Sequence, residues 1–279
     1  MKRRAILIFT VSVFLFITGT VSAGLTDNLV AYYPFSGNAD DQSGNGYDGT
    51  VYGATLTSDR FGNPGSAYSF DGIDDYISVD YTNAFQLPEI TISVWVQAAT
   101  DLTSSTTASA IVTRGEDFNT DHSSYTLVVA YPASPYAQGL AVHYEDDDDI
   151  QYSYGTGVYP GVGAWTHIIV SRAADGELNI YSDGVLIGQW LSTPEPSADS
   201  FQDLIIGAYW YVPTPTTGYL NNFFNGNIDD VMIFDTALTP NDIAAFSMPT
   251  NAVPVPGALL LGSLGVGCVT WLRKRRTLI

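Results

Sequence analysis

Cysteine is almost missing from this chain of 279 residues: Cys268 stands alone, inside an apolar run near the end. The region ahead of it holds no disulfide, so a fold there must rest on its packed core or on a bound metal. Positive charge is scarce as well. Ten Lys and Arg face 29 Asp and Glu, and only Arg60, Arg114 and Arg172 lie between Gly24 and Asn251, where all the acids are. The net charge of that stretch is 3 − 29 = −26. Such a surface repels phosphate backbones and anionic lipid, which excludes nucleic acid as a partner, and it attracts divalent cations. Helical periodicity never runs beyond a few turns, and no internal repeat or linker divides the middle. His122, His143 and His167 are scattered without the spacing of a zinc site. A Gly-x-Ser-x-Gly nucleophile elbow is also missing.

The remaining cations mark the two ends. Lys2, Arg3 and Arg4 precede an apolar core from Ala5 to Ile17 and a small-residue exit at Val21-Ser22-Ala23. This order predicts a signal peptide over residues 1–23, cut after Ala23, with a retained helix as the alternative. At the other end Val253-Pro254-Val255-Pro256 leads into an apolar run from Ala258 to Leu272, then Arg273-Lys274-Arg275-Arg276. The prolines fix an extended entry, and the run is short for a transmembrane helix. Residues 253–276 resemble the PEP-CTERM sorting signal of Gram-negative envelope proteins, with Val-Pro-Val-Pro where the best-known form has Val-Pro-Glu-Pro. That resemblance implies an exosortase-like processing enzyme as a partner and a membrane held until processing. A plain C-terminal anchor is the alternative. Flanking cations stay on the cytoplasmic side, so the acidic middle is the exported part.

The middle reads as one all-β domain over residues 25–247. Short β-rich runs recur between Gly, Asp and Asn, among them Tyr76–Val79, Ile90–Val96, Tyr125–Val129, Thr166–Val170, Leu178–Tyr181 and Val231–Phe234. This punctuation points to a β-sandwich. Asp175-Gly176 and Asp183-Gly184 supply tight-turn chemistry within a meander. One helix is expected over Thr239–Phe246, with Thr239 as cap and Pro240 at the first position.

Four blocks carry a second resemblance. They are Leu29 to Gly46, with Tyr33-Pro34-Phe35-Ser36-Gly37-Asn38; Tyr68 to Ile77, with Phe70-Asp71-Gly72; Trp165-Thr166-His167 with Asp183-Gly184; and Phe224 to Val231 with Ala237-Leu238-Thr239. In this order they resemble the LamG-like jellyroll domains, of the concanavalin A-like lectin/glucanase fold. The resemblance implies a jelly-roll β-sandwich, and function does not follow from the fold alone.

Three places invite chemistry. Asp40, Asp41, Ser43 and Asn45 crowd hard oxygen donors into a Gly-rich turn, as Ca²⁺ requires. The resemblance implies a structural Ca²⁺ on Asp41 and Asp229, with Asn38, Asp40 and Asp230 behind them. The alternative is that these side chains only form Asx turns. In Glu145 to Asp149 the carboxylates at 145, 147 and 149 alternate, yet five adjacent acids favour a solvated loop over a catalytic strand. The third is aromatic: Tyr209-Trp210-Tyr211 near Pro213 suggests an exposed loop that stacks on sugar, or else more core filling. The function expected is an exported, envelope-tethered, non-enzymatic module that binds extracellular polysaccharide or a cell-surface glycan, or is part of the matrix. A glycoside hydrolase or polysaccharide lyase of the same fold is the runner-up, and a protein-binding adhesin the third reading.

Overall fold

The computed structural model describes residues 28–115, 125–148, 150–197, 202–214 and 217–247. The expected signal peptide and sorting signal lie outside them. In chain order the strands are β1 (Leu29–Tyr33), β2 (Gly49–Tyr52), β3 (Thr55–Thr57), β4 (Ala67–Asp71), β5 (Tyr76–Val79), β6 (Ile90–Ala98), β7 (Ser109–Arg114), β8 (Tyr125–Ala130) and β9 (Gly139–Glu145). There follow β10 (Gln151–Gly155), β11 (Trp165–Arg172), β12 (Leu178–Ser182), β13 (Val185–Trp190), β14 (Leu204–Ile206), β15 (Tyr209–Thr214), β16 (Thr217–Asn221) and β17 (Asn225–Phe234). One α-helix, α1 (Pro240–Ser247), closes the order. No helix among the described residues is long and apolar enough to cross a membrane.

Eight strands make one antiparallel sheet, ordered β13-β12-β11-β6-β17-β4-β3, with β1 also paired to β17. Seven make the other, ordered β10-β9-β8-β7-β14-β5-β2. The two-residue period of a strand sends alternate side chains to opposite faces. On β8 Tyr125, Leu127 and Val129 enter the main core, where they join Ile92, Val94 and Val96 of β6. At about 1.5–3 kcal/mol for each large apolar side chain fully buried, such a core holds two sheets together without a disulfide. The all-β sandwich expected from the strand pattern is therefore what forms.

Turn and cap chemistry act where the sequence places them. Asp183 (φ 49°) and Gly184 (φ 78°) join β12 to β13 with both φ positive, as the tightest hairpin turn demands. Helix α1 starts with a reciprocal cap: Asp242 N–H donates to Thr239 Oγ1, while Thr239 N–H and Oγ1 donate to Asp242 Oδ2 at 3.1 and 2.6 Å. The helix lies on the outer face of the eight-stranded sheet, burying Leu238 and Ile243 against Tyr32, Ile169, Tyr181 and Met232.

The region around Tyr209 differs from its expectation as an exposed loop. It forms a hairpin, with Tyr209 opposite Asn221 and Trp210 opposite Leu220. The Tyr209 ring is buried on the outer face of the seven-stranded sheet, against Ala110, Val128, Ala130, Ala137 and Ala141. Burial of one large ring on a floor of small residues outweighs the turn-like composition that follows it.

Candidate functional site

The outward side chains of β8, β9 and β10 build a groove beside that hairpin. Alternation puts Thr126, Val128 and Ala130 of β8 on this face, and cross-strand pairing sets His143 of β9 directly opposite Thr126. Ser153 of β10 stands opposite His143 and holds its Nδ1 at 2.7 Å. Gln151 and Asn222 add amides, and Tyr131, Tyr136 and Tyr209 add aromatic rings to the lining. The groove holds a volume of about 170 Å³ and is open to solvent. Small alanines make room, and the aromatic rings supply flat apolar faces.

One polar group of this groove is buried without a hydrogen-bond partner. Thr126 is 3% exposed, and its Oγ1 is buried with no hydrogen bond. A hydroxyl in that position costs free energy until a ligand or water meets it. Burial pushes the His143 imidazole down to about 4, so it is neutral at pH 7. With Nδ1 taken by Ser153, Nε2 is the nitrogen that faces no partner among the described residues. Tyr136, which also lines the groove, is 63% exposed. The groove thus combines hydroxyl-matching groups with aromatic faces, and no Asp, Glu, Lys or Arg is among the described residues that line it.

Of the aromatic trio singled out in the sequence, Tyr209 is a buried wall of this groove and Trp210 is half-buried, its indole N–H unpartnered. Tyr211 lies on β15, with its side chain outside the described residues. Sequence reasoning missed Thr126, His143, Gln151, Tyr131 and Tyr136. The available signal was the polar Thr126 inside an otherwise apolar strand, followed by two tyrosines in a Pro-containing loop.

The five residues expected to hold Ca²⁺ divide between two places. Asp41 Oδ1 accepts the N–H groups of Tyr32 (2.9 Å) and Ser43 (2.8 Å), and Oδ2 accepts Ser43 Oγ (2.7 Å) and Tyr47 N–H (3.1 Å). Exposed Asn38 and Asp40 hydrogen-bond one another. Asp229 and Asp230 instead meet Arg60, whose Nη1 lies 2.9 Å from Asp229 Oδ2 and 2.5 Å from Asp230 Oδ2. Tyr32 joins the two places, its backbone bound to Asp41 and its hydroxyl donating to Asp230 Oδ1 at 2.9 Å. Every one of these carboxylates is already engaged by N–H or O–H donors, so the set does not fit a cage of six to eight oxygens around Ca²⁺. Among the described residues one group of three acids comes together elsewhere, Asp71, Asp74 and Asp75. There Asp71 Oδ1 accepts Ile73 N–H and Asp75 Oδ2 accepts Asp71 N–H, which shapes the turn before β5.

The acidic run after Glu145 is a turn. Asp146 Oδ1 accepts the N–H groups of Asp148 and Ile150, and Asp147 and Asp148 are exposed. Asp149 lies outside the described residues. Besides Ser153 and His143 in the groove, Ser93 Oγ and His167 Nε2 are 2.8 Å apart, a pairing that resembles a nucleophile and its base. Both residues are 2% exposed, and His167 Nδ1 is buried without a carboxylate to orient it. The imidazole stacks flat on Trp95, with centroids 4.6 Å apart, as part of the packing under Arg60.

Comparisons with known proteins agree with this architecture. Domain 4 of AbnA, a GH43 extracellular arabinanase from Geobacillus stearothermophilus solved with arabinotriose, superposes with a TM-score of 0.62 at 19% identity, covering 79% of this chain and 98% of that one. The binding domain of Paraclostridial Mosquitocidal Protein 1 gives 0.60 at 16% identity, covering 80% of this chain. The ligand-binding domain of botulinum neurotoxin serotype D, solved with N-acetylneuraminic acid, gives 0.55 at 15% identity and 81% of this chain. This chain spans 52% of each of those two toxin chains. At such identities the likeness is one of fold. No curated protein sequence matches this one. The family model described as the concanavalin A-like lectin/glucanases superfamily matches residues 71–244, from the turn before β5 into α1. With two antiparallel sheets stacked over one core and that match across more than half of its length, the chain belongs to the concanavalin A-like lectin/glucanase superfamily.

Proposed function

We propose that this protein is a non-enzymatic carbohydrate-binding module that takes a sugar in the groove over β8, β9 and β10. One observation carries the reading: the buried Thr126 hydroxyl has no protein partner, and it belongs to a groove that neutral His143 and exposed Tyr136 also line. Sugars offer hydroxyls to such polar groups and an apolar ring face to such aromatic rings. The arabinotriose and N-acetylneuraminic acid held by fold neighbours support the same class of ligand. Hydrolysis needs two carboxylates flanking the scissile bond, and the described residues that line the groove include none.

The ends supply the address. Residues 1–23 export the chain, and the segment over 253–276 holds it at the envelope of a Gram-negative cell until an exosortase-like enzyme acts near Val253-Pro254-Val255-Pro256. Ca²⁺ plays no structural part at the closing strand, because Arg60 provides the positive charge there. Screening the folded domain on a glycan array, with Thr126→Val alongside, tests the binding reading. Signals on glycans that weaken in the variant support it. An array with no signal leaves the protein-binding adhesin as the better account.

A further inference from the structure

We infer that the groove accepts uncharged sugars and rejects acidic ones, an inference that rests on the carbohydrate-binding reading above. Binding of a uronate, sialate or sulfated sugar is strengthened by a cation at the anionic group, which Arg or Lys supplies through charge-assisted hydrogen bonds. Between Gly24 and Asn251 the chain has three cationic side chains. Each is placed elsewhere. Arg60 is shared by Asp229 and Asp230 and covered by Trp95 and Phe61. Arg172 is 3% exposed and donates to the carbonyls of Pro88, Thr193 and Pro194. Arg114 is 1% exposed, on the far end of β7 from Ala110, with its guanidinium over the Tyr81 ring.

Among the described residues the groove offers an anion neutral dipoles alone. Its floor is Thr126, His143 and Gln151, and the titratable side chain among them is uncharged at pH 7. Around it the field is negative. Glu145 follows His143 on the same face of β9, and the turn with Asp146, Asp147 and Asp148 continues from it. An acidic sugar would be desolvated without a partner and held in the field of a domain with a net charge of −26, from 3 cations and 29 acids. A neutral sugar meets neither cost.

The experiment compares matched pairs that differ only in charge: galactotriose with trigalacturonate, and N-acetyllactosamine with its 3′-sialyl form. Each is titrated into the domain at pH 7 in EDTA and again in millimolar Ca²⁺. The expected result is binding of at least one neutral member, with its acidic partner at least about tenfold weaker in both buffers. Equal or tighter binding of the acidic member, in EDTA or only with Ca²⁺, overturns the selectivity while leaving the carbohydrate reading intact. Neutral binding that Thr126→Val does not weaken overturns the assignment of the groove. Absence of binding to every member, followed by an array without signal, overturns the carbohydrate reading itself.

Discussion

Arg60 Nη1 lies 2.9 Å from Asp229 Oδ2 although the two residues are 169 positions apart in the chain. The same nitrogen serves Asp230, so two buried carboxylates share one guanidinium. Trp95 lies 4.6 Å beneath it, and the Tyr32 hydroxyl completes Asp230. The segment after β3 is thereby fastened to the closing strand, in a chain with no disulfide to do so.

Replacing Arg60 by Met should therefore destabilise the domain by about 3–5 kcal/mol, since it leaves two buried acids without their cation. Changing Asp229 and Asp230 to Asn in the same background should recover much of the loss. Urea unfolding of the single and triple variants measures both. A single variant as stable as the parent would contradict the role given to this ion pair.

Chelation should leave the domain unaffected. Because N–H and O–H donors engage Asp41, Asp229 and Asp230, excess EDTA should not move the melting temperature of the parent protein. A fall of several degrees would show that a metal, and not Arg60 alone, holds the closing strand.

Stability should peak near pH 6.5. Burial, then the neighbouring Asp230 charge, raises Asp229 to about 8, with Arg60 pulling the other way. A raised acid stabilises the fold at low pH and loses that contribution as pH climbs from about 4 to 8. His143 and His167 behave oppositely, burial lowering them to about 4 and 3 from 6.5. Their contribution is present above pH 6.5 and is lost as pH falls through 4 and 3. Above 6.5 Asp229 alone acts, and below it the two histidines outweigh it. Melting curves from pH 4 to 9 should show this maximum, and Asp229→Asn should flatten the alkaline limb.

In the groove, Thr126→Val should weaken sugar binding about tenfold by removing one hydrogen bond. The melting temperature should hold or rise, because the hydroxyl removed has no partner in the protein. Tyr136→Ala should also weaken binding with little effect on folding, since that ring is 63% exposed. Isothermal titration and thermal melts of the two variants separate recognition from packing.

Much of the sandwich was legible because its signals are local. Tyr125-Thr126-Leu127-Val128-Val129 has the composition of a strand, Asp183-Gly184 suits one kind of turn, and Thr239 with Pro240 marks a helix start. The segment from Tyr209 was misread because Pro213 and the threonines after it speak for a loop, whereas the decisive factor is a floor of alanines drawn from four other segments. Asp41, Asp229 and Asp230 were read as Ca²⁺ ligands, and nothing near them in the sequence points to Arg60. The groove was least legible. Its floor comes from the outward faces of three strands, and an outward Thr or His carries no pattern until the sheet has paired.

The position of β17 has a consequence for how the domain comes into being. This last strand pairs with β6 on one side and with β4 and β1 on the other, so residues 29–33 wait for a partner some 200 positions later. A chain emerging from a ribosome or a translocation pore N-terminus first cannot complete the eight-stranded sheet until Phe234 is free. The domain must remain open through most of its synthesis or passage and close late, in one step that its final strand completes.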